Sequence, residues 1–212
     1  MRKLPIVREG WPFIAIPGAI ALGLALSGRR RLALPFAAAA AASAGFFRDP
    51  ERVIPAVVNG VLAPADGRVM SIEDAVDSFV GPSVRVAIFL SPLDVHVNRA
   101  PIAGHVRLRR HFPGRFGSLG KPGMVFENER ATTVIERPDI EIAVVQIASR
   151  LVRQIAAYVD VGETVAAGDR IGVIRLGSQV DVVLPVRPGL EIAVQPGQRV
   201  RAGESILAKL AQ

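Results

Sequence analysis

The sequence predicts a mainly β body, a compact β-sandwich, preceded by an apolar helical segment at the N-terminus. Two uncharged, mostly apolar runs occupy much of residues 11–47, and short β-like segments punctuated by Gly and Pro follow from Val57 onward. A turn-and-strand pattern also occurs twice near the C-terminus. The 212-residue length suits one sizeable core with a small appendage. We therefore expect an anchor over residues 1–48 and a body over residues 49–212.

The N-terminal segment is predicted to associate with a membrane. Its two apolar runs, residues 11–27 and 32–47, are separated by Gly28 and three arginines. Each run is slightly shorter than the roughly 20 residues of a bilayer span, so they form either a tight helical hairpin or partly embedded helices with aromatic residues at the interface. Positive charge on both sides of the first run gives no clean orientation. We favour a shallow hairpin, peripheral or partly inserted through residues 11–47, at the cytoplasmic face of the cell membrane.

The charge distribution favours an anionic membrane over nucleic acid as the partner. The net charge is +7, but residues 1–48 alone hold seven basic side chains against one acidic side chain. The remaining residues carry 19 basic and 18 acidic side chains, so the body is nearly neutral. A nucleic-acid-binding body would show a basic stripe with interleaved aromatic residues. The absence of cysteine excludes disulfides, thiolate metal sites and a cysteine nucleophile.

The sequence of the body, residues 49–212, can be divided into predicted strands and loops. Apolar or alternating runs predict the clearest strands, which cover residues 84–90, 94–98, 141–147 and 180–186. Polar or Gly-containing stretches predict loops at 74–80, 114–123 and 137–139. A short helix is predicted within residues 146–154.

An internal repeat supports the sandwich. A Gly-x-x-Val-x-x-Gly-x-x-Ile pattern recurs at an offset of 35 residues, first at Gly162, Val165, Gly168 and Ile171, then at Gly197, Val200, Gly203 and Ile206. Such pseudo-repeated hairpins are typical of biotinyl and lipoyl carrier domains. A carrier function is disfavoured, because none of the three lysines (Lys3, Lys121 and Lys209) lies between the repeats. Gly177 and Ser178 lie there instead.

The polar residues that could carry chemistry are few. Residues 93–98 alternate, so that Asp94, His96 and Asn98 share one face of a predicted strand, either as a site wall or as a solvated face. His105 and His111 lie among arginines, where we expect surface roles.

Asp66 precedes a Gly turn and a strand, and with His96 and Ser178 it could supply an acid, a base and a hydroxyl. The same trio would suit a serine hydrolase. However, the sequence has no G-x-S-x-G elbow, and Ser178 is followed by a predicted strand and not by a helix.

Several ordered motifs together identify a family resemblance. In chain order they read REGWP (8–12), FFRDP (46–50), APADGRV (63–69), FLSPLDVHVNRAP (89–101), NER (128–130) and GVIRLGSQVDVVLP (172–185). With these motifs the chain resembles the phosphatidylserine decarboxylase proenzymes of the short, compact type, from its N-terminal residues almost to the C-terminus.

The resemblance implies self-cleavage between Gly177 and Ser178, which leaves a β chain of residues 1–177 and an α chain of residues 178–212. The Ser178 hydroxyl would attack the Gly177 carbonyl to form an ester, and β-elimination and hydrolysis would leave an N-terminal pyruvoyl group. Gly177 offers no side chain to hinder this attack. The family-like base is His96 oriented by Asp66, with Asp94 as the alternative partner.

The resemblance also implies the reaction and the cofactor. Phosphatidylserine would lose CO₂ through a Schiff base on the pyruvoyl group made from Ser178, yielding phosphatidylethanolamine for phospholipid biosynthesis. A ketone of this kind replaces pyridoxal phosphate as the electron sink, and neither that cofactor nor a metal is expected. The expected partners are the lipid substrate in an anionic membrane and the chain's own two fragments, which could oligomerise further.

Three departures from the family pattern leave roles open. Arg99 stands where longer members carry a second histidine, and Gln179 where Thr is common. Residues 147–150 replace a Gly-rich stretch, and Arg150 or Arg153 could bind phosphate. Asp94, Asn98 and Arg99 are therefore candidate supporting residues. Two alternatives remain, a membrane-tethered β-sandwich adaptor that is not processed and a Ser178-dependent hydrolase.

Overall fold

The structure, a computed structural model, describes residues 5–56, 59–114, 127–148, 155–175 and 178–210. It contains two compact units, Met1–Glu51 and Arg52–Gln212. The first unit is helical and the second is built of strands, so the predicted mainly β fold class with apolar N-terminal helices is confirmed.

Two packed helices make up most of the first unit. α1 (Trp11–Leu26) follows a 3-10 turn, and α2 (Arg30–Phe46) runs back beside it. Gly28 permits the reversal between them, because its φ of 78° is in the left-handed region. The Val7 amide donates to the Phe47 carbonyl at 3.0 Å, so the chain segments before and after the hairpin are joined.

The first helix is apolar and exposed. The helical stretch Arg8–Leu26 has 19 residues and a mean hydropathy of 1.4, which is enough to cross a membrane by length and composition. Large apolar side chains face outward along both helices, including Ile16, Leu22, Leu26 and Leu34. An apolar surface of this kind indicates contact with lipid or with a protein partner.

The described part of the second unit contains fourteen strands. They are β1 (Gly60–Leu62), β2 (Gly67–Asp77), β3 (Gly81–Leu90), β4 (Val97–Arg99), β5 (Gly104–Phe112), β6 (Arg130–Arg137), β7 (Ile140–Ile147), β8 (Ile155–Ala157), β9 (Thr164–Val165), β10 (Arg170–Ile174), β11 (Ser178–Pro185), β12 (Leu190–Ile192), β13 (Arg199–Val200) and β14 (Ile206–Leu210).

These strands form one large sheet and two small ones. The large antiparallel sheet has the order β13-β2-β3-β11-β7-β6-β5-β9, and the small sheets are β1-β14-β12 and β4-β10-β8. The main apolar core contains Val180, Val182 and Leu184 from the central strand β11. Since side chains alternate along a strand, the residues between them, such as Asp181 and Val183, face the opposite side of the sheet.

Three predicted strands are confirmed, because residues 84–90, 141–147 and nearly all of 180–186 lie in β3, β7 and β11. The loop predicted at 74–80 is wrong. β2 continues to Asp77, which pairs with Gly81, and only residues 78–80 turn. The acidic residues there interrupt the apolar alternation, but this stretch is largely solvent-exposed and is paired with β3 up to Asp77, so it forms a strand without a buried face.

The strand predicted at 94–98 is mostly wrong, because only Val97 onward is paired in β4 and Asp94 stabilises a turn. Residues 138–139 turn as predicted, whereas Arg137 is still part of β6. The loop predicted at 114–123 lies outside the described residues from position 115, and the helix predicted within 146–154 does so from position 149.

The four repeat glycines share one backbone property. Gly162, Gly168, Gly197 and Gly203 all have φ between 76° and 91°, which favours glycine over residues with a side chain. The Gly168 and Gly203 amides each donate a 2.8 Å hydrogen bond, to the carbonyls of Ala100 and Ala63 respectively. The similarity to carrier domains stays a prediction.

Candidate active site

The predicted cleavage position joins two sheets. β10 ends at Ile174 in a small sheet, and β11 begins at Ser178 in the middle of the large sheet. The Ile174 amide donates to the His96 carbonyl at 3.2 Å. On the other side, the backbone of Ser178 is in register with Leu90. The two strand ends are therefore held by one segment, residues 90–96, which carries the histidine predicted as base.

His96 is buried, with 1% of its surface exposed, and its ring orientation is fixed. Its Nδ1 atom lies 2.9 Å from the backbone carbonyl oxygen of Asp94. A carbonyl only accepts hydrogen bonds, so Nδ1 carries the proton in this contact. In the neutral ring the lone pair is then on Nε2, which is also buried. This tautomer is the one that a general base needs.

Asp94 holds the turn that leads into His96. Its carboxylate accepts a 2.8 Å hydrogen bond from the Ser91 amide, and its own amide donates to the Ser91 carbonyl at 2.9 Å. The Arg199 guanidinium lies 3.7 Å from the same carboxylate. Asp94 thus positions the ring through its backbone carbonyl, while its side chain stabilises the turn.

Asp66 lies in a different set of contacts. Its two carboxylate oxygens accept hydrogen bonds of 2.9 and 2.8 Å from Arg52, and one of them accepts a 2.8 Å bond from the Ala202 amide. Arg52 also lies 3.5 Å from Glu204. The Asp66 carboxylate therefore accepts hydrogen bonds from the Arg52 side chain and the Ala202 amide, whereas the His96 Nδ1 atom contacts the Asp94 backbone carbonyl. Arg52 was missed from the sequence, because no spacing pattern links it to Asp66.

The two other supporting candidates, Asn98 and Arg99, lie on β4 and are buried. Asn98 Oδ1 accepts a 2.7 Å hydrogen bond from Gln146 Nε2. Arg99 donates to the Gly168 carbonyl at 2.9 Å, and its side chain packs close to Gly203. Arg99 therefore joins β4 to the repeat loops. Gln146 was missed because an isolated amide in an apolar strand has no motif to identify it.

A second polar cluster lies just after the predicted cleavage position. Asp181 is 2% exposed and accepts a 2.6 Å hydrogen bond from Gln179. Burial raises the pKa of Asp181 to about 6, and it outweighs the Gln179 hydrogen bond and the nearby charge of Arg85. Asp181 lines a cavity of about 160 Å³ with Arg85, Arg130 and other residues of the sheet.

The other two histidines have surface contacts, as expected. His105 Nδ1 lies 2.9 Å from Thr164 Oγ1, and His111 Nε2 lies 3.0 Å from Glu129. Within the described ranges, no group of three or more His, Asp or Glu side chains converges as a metal site would.

Comparison with known proteins places the chain in a family. The sequence model of the family described as phosphatidylserine decarboxylase matches residues 40–208. The phosphatidylserine decarboxylase proenzyme of Nitrosomonas europaea is 40% identical over 206 residues, which cover 96% of this chain and 94% of that protein. The proenzyme of Burkholderia lata is 41% identical over 209 residues, which cover 98% and 97%. That of Azorhizobium caulinodans is 44% identical over 211 residues, which cover 97% and 89%.

Fold, motifs and relatives together define an enzyme of the carboxy-lyase class. The chain belongs to the phosphatidylserine decarboxylase family. The predicted enzyme class, a pyruvoyl-dependent decarboxylase, is thereby confirmed.

Proposed function

We propose that this chain cuts itself between Gly177 and Ser178 and that the resulting pair of chains, residues 1–177 and 178–212, decarboxylates phosphatidylserine. The observation that supports this best is the placement of His96. Its carbonyl binds the last residue of β10, its neighbouring segment pairs with the first residue of β11, and its ring has the tautomer of a base.

In the proposed self-cleavage, His96 Nε2 takes the proton of the Ser178 hydroxyl. The Ser178 oxygen attacks the Gly177 carbonyl carbon, the peptide C–N bond breaks, and the proton passes to the released amine, leaving an ester. Removal of the Ser178 α-proton then expels residues 1–177 as a carboxylate. The remaining enamine tautomerises, and water replaces its nitrogen, which leaves as ammonia.

The surroundings fit a pyruvoyl group at position 178. The backbone of that residue starts a central strand, so a new chain end there would be held by β3. Asn98, at 0% exposure, has an Nδ2 donor with no hydrogen-bond partner among the described residues, as a site for carbonyl or carboxylate oxygens requires. The pyruvoyl ketone would supply the electron sink for decarboxylation. His96 would then return a proton to the product.

Asp66 belongs to the proposal as the acidic member of the processing site. The APADGRV motif supports this role, and the backbone does as well, because the Arg99 amide donates to the Pro64 carbonyl at 2.8 Å and so ties the Asp66 loop to β4. Asp94 supports the base through its carbonyl, and Arg99 keeps the neighbouring loops in place.

The N-terminal segment, residues 1–48, is proposed to anchor the decarboxylase domain, residues 49–212, at the cytoplasmic face of an anionic membrane. The exposed apolar helices and the basic residues near them support this, since lipid would cover the former and anionic headgroups would neutralise the latter. The substrate of the proposed decarboxylase is a membrane lipid, so the anchor would keep the enzyme at the surface where that lipid is found.

Mass spectrometry of the wild type beside Ser178→Ala tests the processing. The wild type should give two fragments, with the C-terminal one starting at residue 178 and carrying a pyruvoyl mass. Ser178→Ala should stay intact and inactive. Hydroxylamine should cut freshly synthesised wild type at position 177 by trapping the ester, and it should not cut Ser178→Ala.

Activity separates this proposal from the alternatives. Processed wild type should convert phosphatidylserine in vesicles to phosphatidylethanolamine. A stable, intact and inactive wild-type chain would favour the tethered adaptor, whereas labelling of Ser178 in intact chain by a serine-reactive probe would favour the hydrolase. An intact chain that makes phosphatidylethanolamine would contradict the proposal.

A further inference from the structure

The Asn98–Gln146 pair is a buried polar contact near the predicted cleavage position. Asn98 is 0% exposed and Gln146 is 1% exposed. The Gln146 Nε2 atom donates to Asn98 Oδ1 at 2.7 Å. This bond occupies the acceptor of Asn98 and leaves its Nδ2 donor buried, without a hydrogen-bond partner among the residues that the structure describes. A buried amide donor left unsatisfied is costly unless a ligand or reaction intermediate uses it.

The two members of the pair lie next to the two strands that flank the cleavage link. Asn98 is in register with Gly172 on β10, two residues before Ile174. Gln146 is in register with Val180 on β11, two residues after Ser178. The side-chain hydrogen bond therefore connects the small sheet with the large sheet next to the point where the chain passes between them.

The backbone makes room for this contact. A Cβ atom at position 172 would lie 3.0 Å from Gln146 Nε2 and 2.6 Å from the Ala156 carbonyl oxygen. The distance to the Ala156 carbonyl is too short for any side chain, and the distance to Gln146 Nε2 is tighter than most Cβ contacts, so glycine at this motif position leaves Gln146 room beside Asn98. The Gln146 hydrogen bond thus sets the orientation of the Asn98 amide, and Gly172 leaves space for both side chains.

From this arrangement we propose that Asn98 Nδ2, held in place by Gln146, donates a hydrogen bond to the reacting oxygen at the cleavage link. The oxygen is that of a carbonyl or carboxylate group, and it has two sources: the chain's own peptide carbonyl during self-cleavage, or the substrate carboxylate afterwards. Asn98 would be a catalytic residue and Gln146 a positioning residue. The inference rests on the proposed self-cleaving function.

Two substitutions separate donation from simple packing. Asn98→Asp keeps the shape and the acceptor for Gln146 but replaces the donor by an oxygen. Gln146→Glu keeps its shape but presents an acceptor, so Asn98 would rotate and donate to Glu instead. Both variants should slow self-cleavage about 100-fold, the usual effect of removing one oxyanion donor. Gln146→Met, which leaves Asn98 free to rotate, should slow it less than Gln146→Glu.

The experiment follows fragment formation by full-length variants in cell-free translation, and then measures kcat and KM per mole of cleaved chain. Ser83→Ala is the matched control, because it removes one buried hydrogen bond, to the Ala75 carbonyl, at the far end of β3. It should cleave like the wild type. Thermal unfolding in the Ser178→Ala background shows whether each variant folds; if Asn98→Asp does not, the comparison of Gln146→Glu with Gln146→Met decides.

Slow cleavage in Asn98→Asp and Gln146→Glu identifies the peptide carbonyl as the oxygen. Normal cleavage with a raised KM or lowered kcat identifies the substrate carboxylate. Wild-type cleavage and kinetics in both variants would overturn the inference while the self-cleaving function stands. Failure of the wild type itself to cleave would instead refute that function.

Discussion

Asp181 is a residue whose environment sets a measurable pH dependence. The residue is 2% exposed, and burial raises the pKa of its carboxyl group to about 6. The unfolded chain has a carboxyl pKa of about 3.9 at this residue. Between these two pH values the folded state binds more protons at Asp181 than the unfolded state does. The contribution of Asp181 to the free energy of unfolding therefore falls as the pH rises through this window and is constant above it.

Asp181→Asn should remove this loss. The amide keeps an acceptor for Gln179, so the variant should gain stability relative to its parent by about 2–3 kcal/mol between pH 4 and pH 7.5. Urea unfolding of the full chain in detergent, with Ser178→Ala as parent, measures this gain. Asp160→Asn is the control, because the Asp160 side chain is 83% exposed. If the stability difference between Asp181→Asn and its parent is the same at both pH values, the pKa of Asp181 is not raised in the folded state.

The Arg52–Asp66 ion pair allows the role of Asp66 to be tested. If Asp66 takes part in processing, Asp66→Asn should slow fragment formation at least 10-fold, while Arg52→Gln, which keeps the carboxylate, should slow it less. If Asp66 only ties the Ala202 turn and Arg52 together, both changes should lower stability and leave the rate of cleavage per folded chain unchanged. Gel time courses and unfolding curves of the two variants distinguish these outcomes.

Among individual residues, the sequence pointed only to those that lie within recognisable motifs. It pointed to His96 as part of a possible site wall and to Ser178 as the hydroxyl that is processed, because family motifs surround both, and these two roles stay predictions. It did not identify Arg52, Gln146 or Asp181. Each of these makes its contact with a residue or environment that only the folded sheets bring together, and no local spacing marks such a partner.

At the level of the element, Gly67 fixes how β2 begins. Its φ is 154°, and an added Cβ atom would clash with the Phe89 carbonyl oxygen on the paired strand β3. Gly81, at the start of β3, has a φ of 82° but open space around it. The two positions therefore separate the cost of a clash from the cost of the backbone conformation.

Gly67→Ala should destabilise the body by roughly 3 kcal/mol or more, because strand backbone must move, and Gly81→Ala by about 1 kcal/mol. Chemical unfolding in the Ser178→Ala background measures both losses. Since Gly67 follows Asp66, the first variant should also slow self-cleavage. Equal losses at the two positions would show that the Phe89 contact is relaxed at little cost.

The errors in element prediction have a physical cause. Alternation predicts a strand well where one face is buried, as in β3, β7 and β11. The distal half of β2 is solvent-exposed, so its sequence is as polar as a loop. Residues 94–96 alternate like a strand, but the Asp94 carboxylate binds the Ser91 amide and forms a turn.

For the whole molecule, the sheet order determines how the two fragments would be held after a cut at position 177. Residues 178–212 contribute β11, which is paired along its full length with β3 and over five residues with β7. They also contribute β14, which lies between β1 and β12. The fragment is thus built into two sheets and into the core, through side chains such as Val182 and Leu207.

We therefore expect the two fragments to remain together until the body unfolds. They should elute together on gel filtration in detergent, even at high salt, because backbone pairing and apolar burial resist screening. In denaturant, separation of the fragments should coincide with the loss of β structure by circular dichroism.

Leu207→Ala, at a fully buried position, should lower the free energy of unfolding by about 2–5 kcal/mol, so both transitions should move to lower denaturant concentrations. Val186→Ala, at 60% exposure, is the control and should shift neither. Fragments that separate in native buffer would show that the strands of residues 178–212 are not held as the sheet order requires.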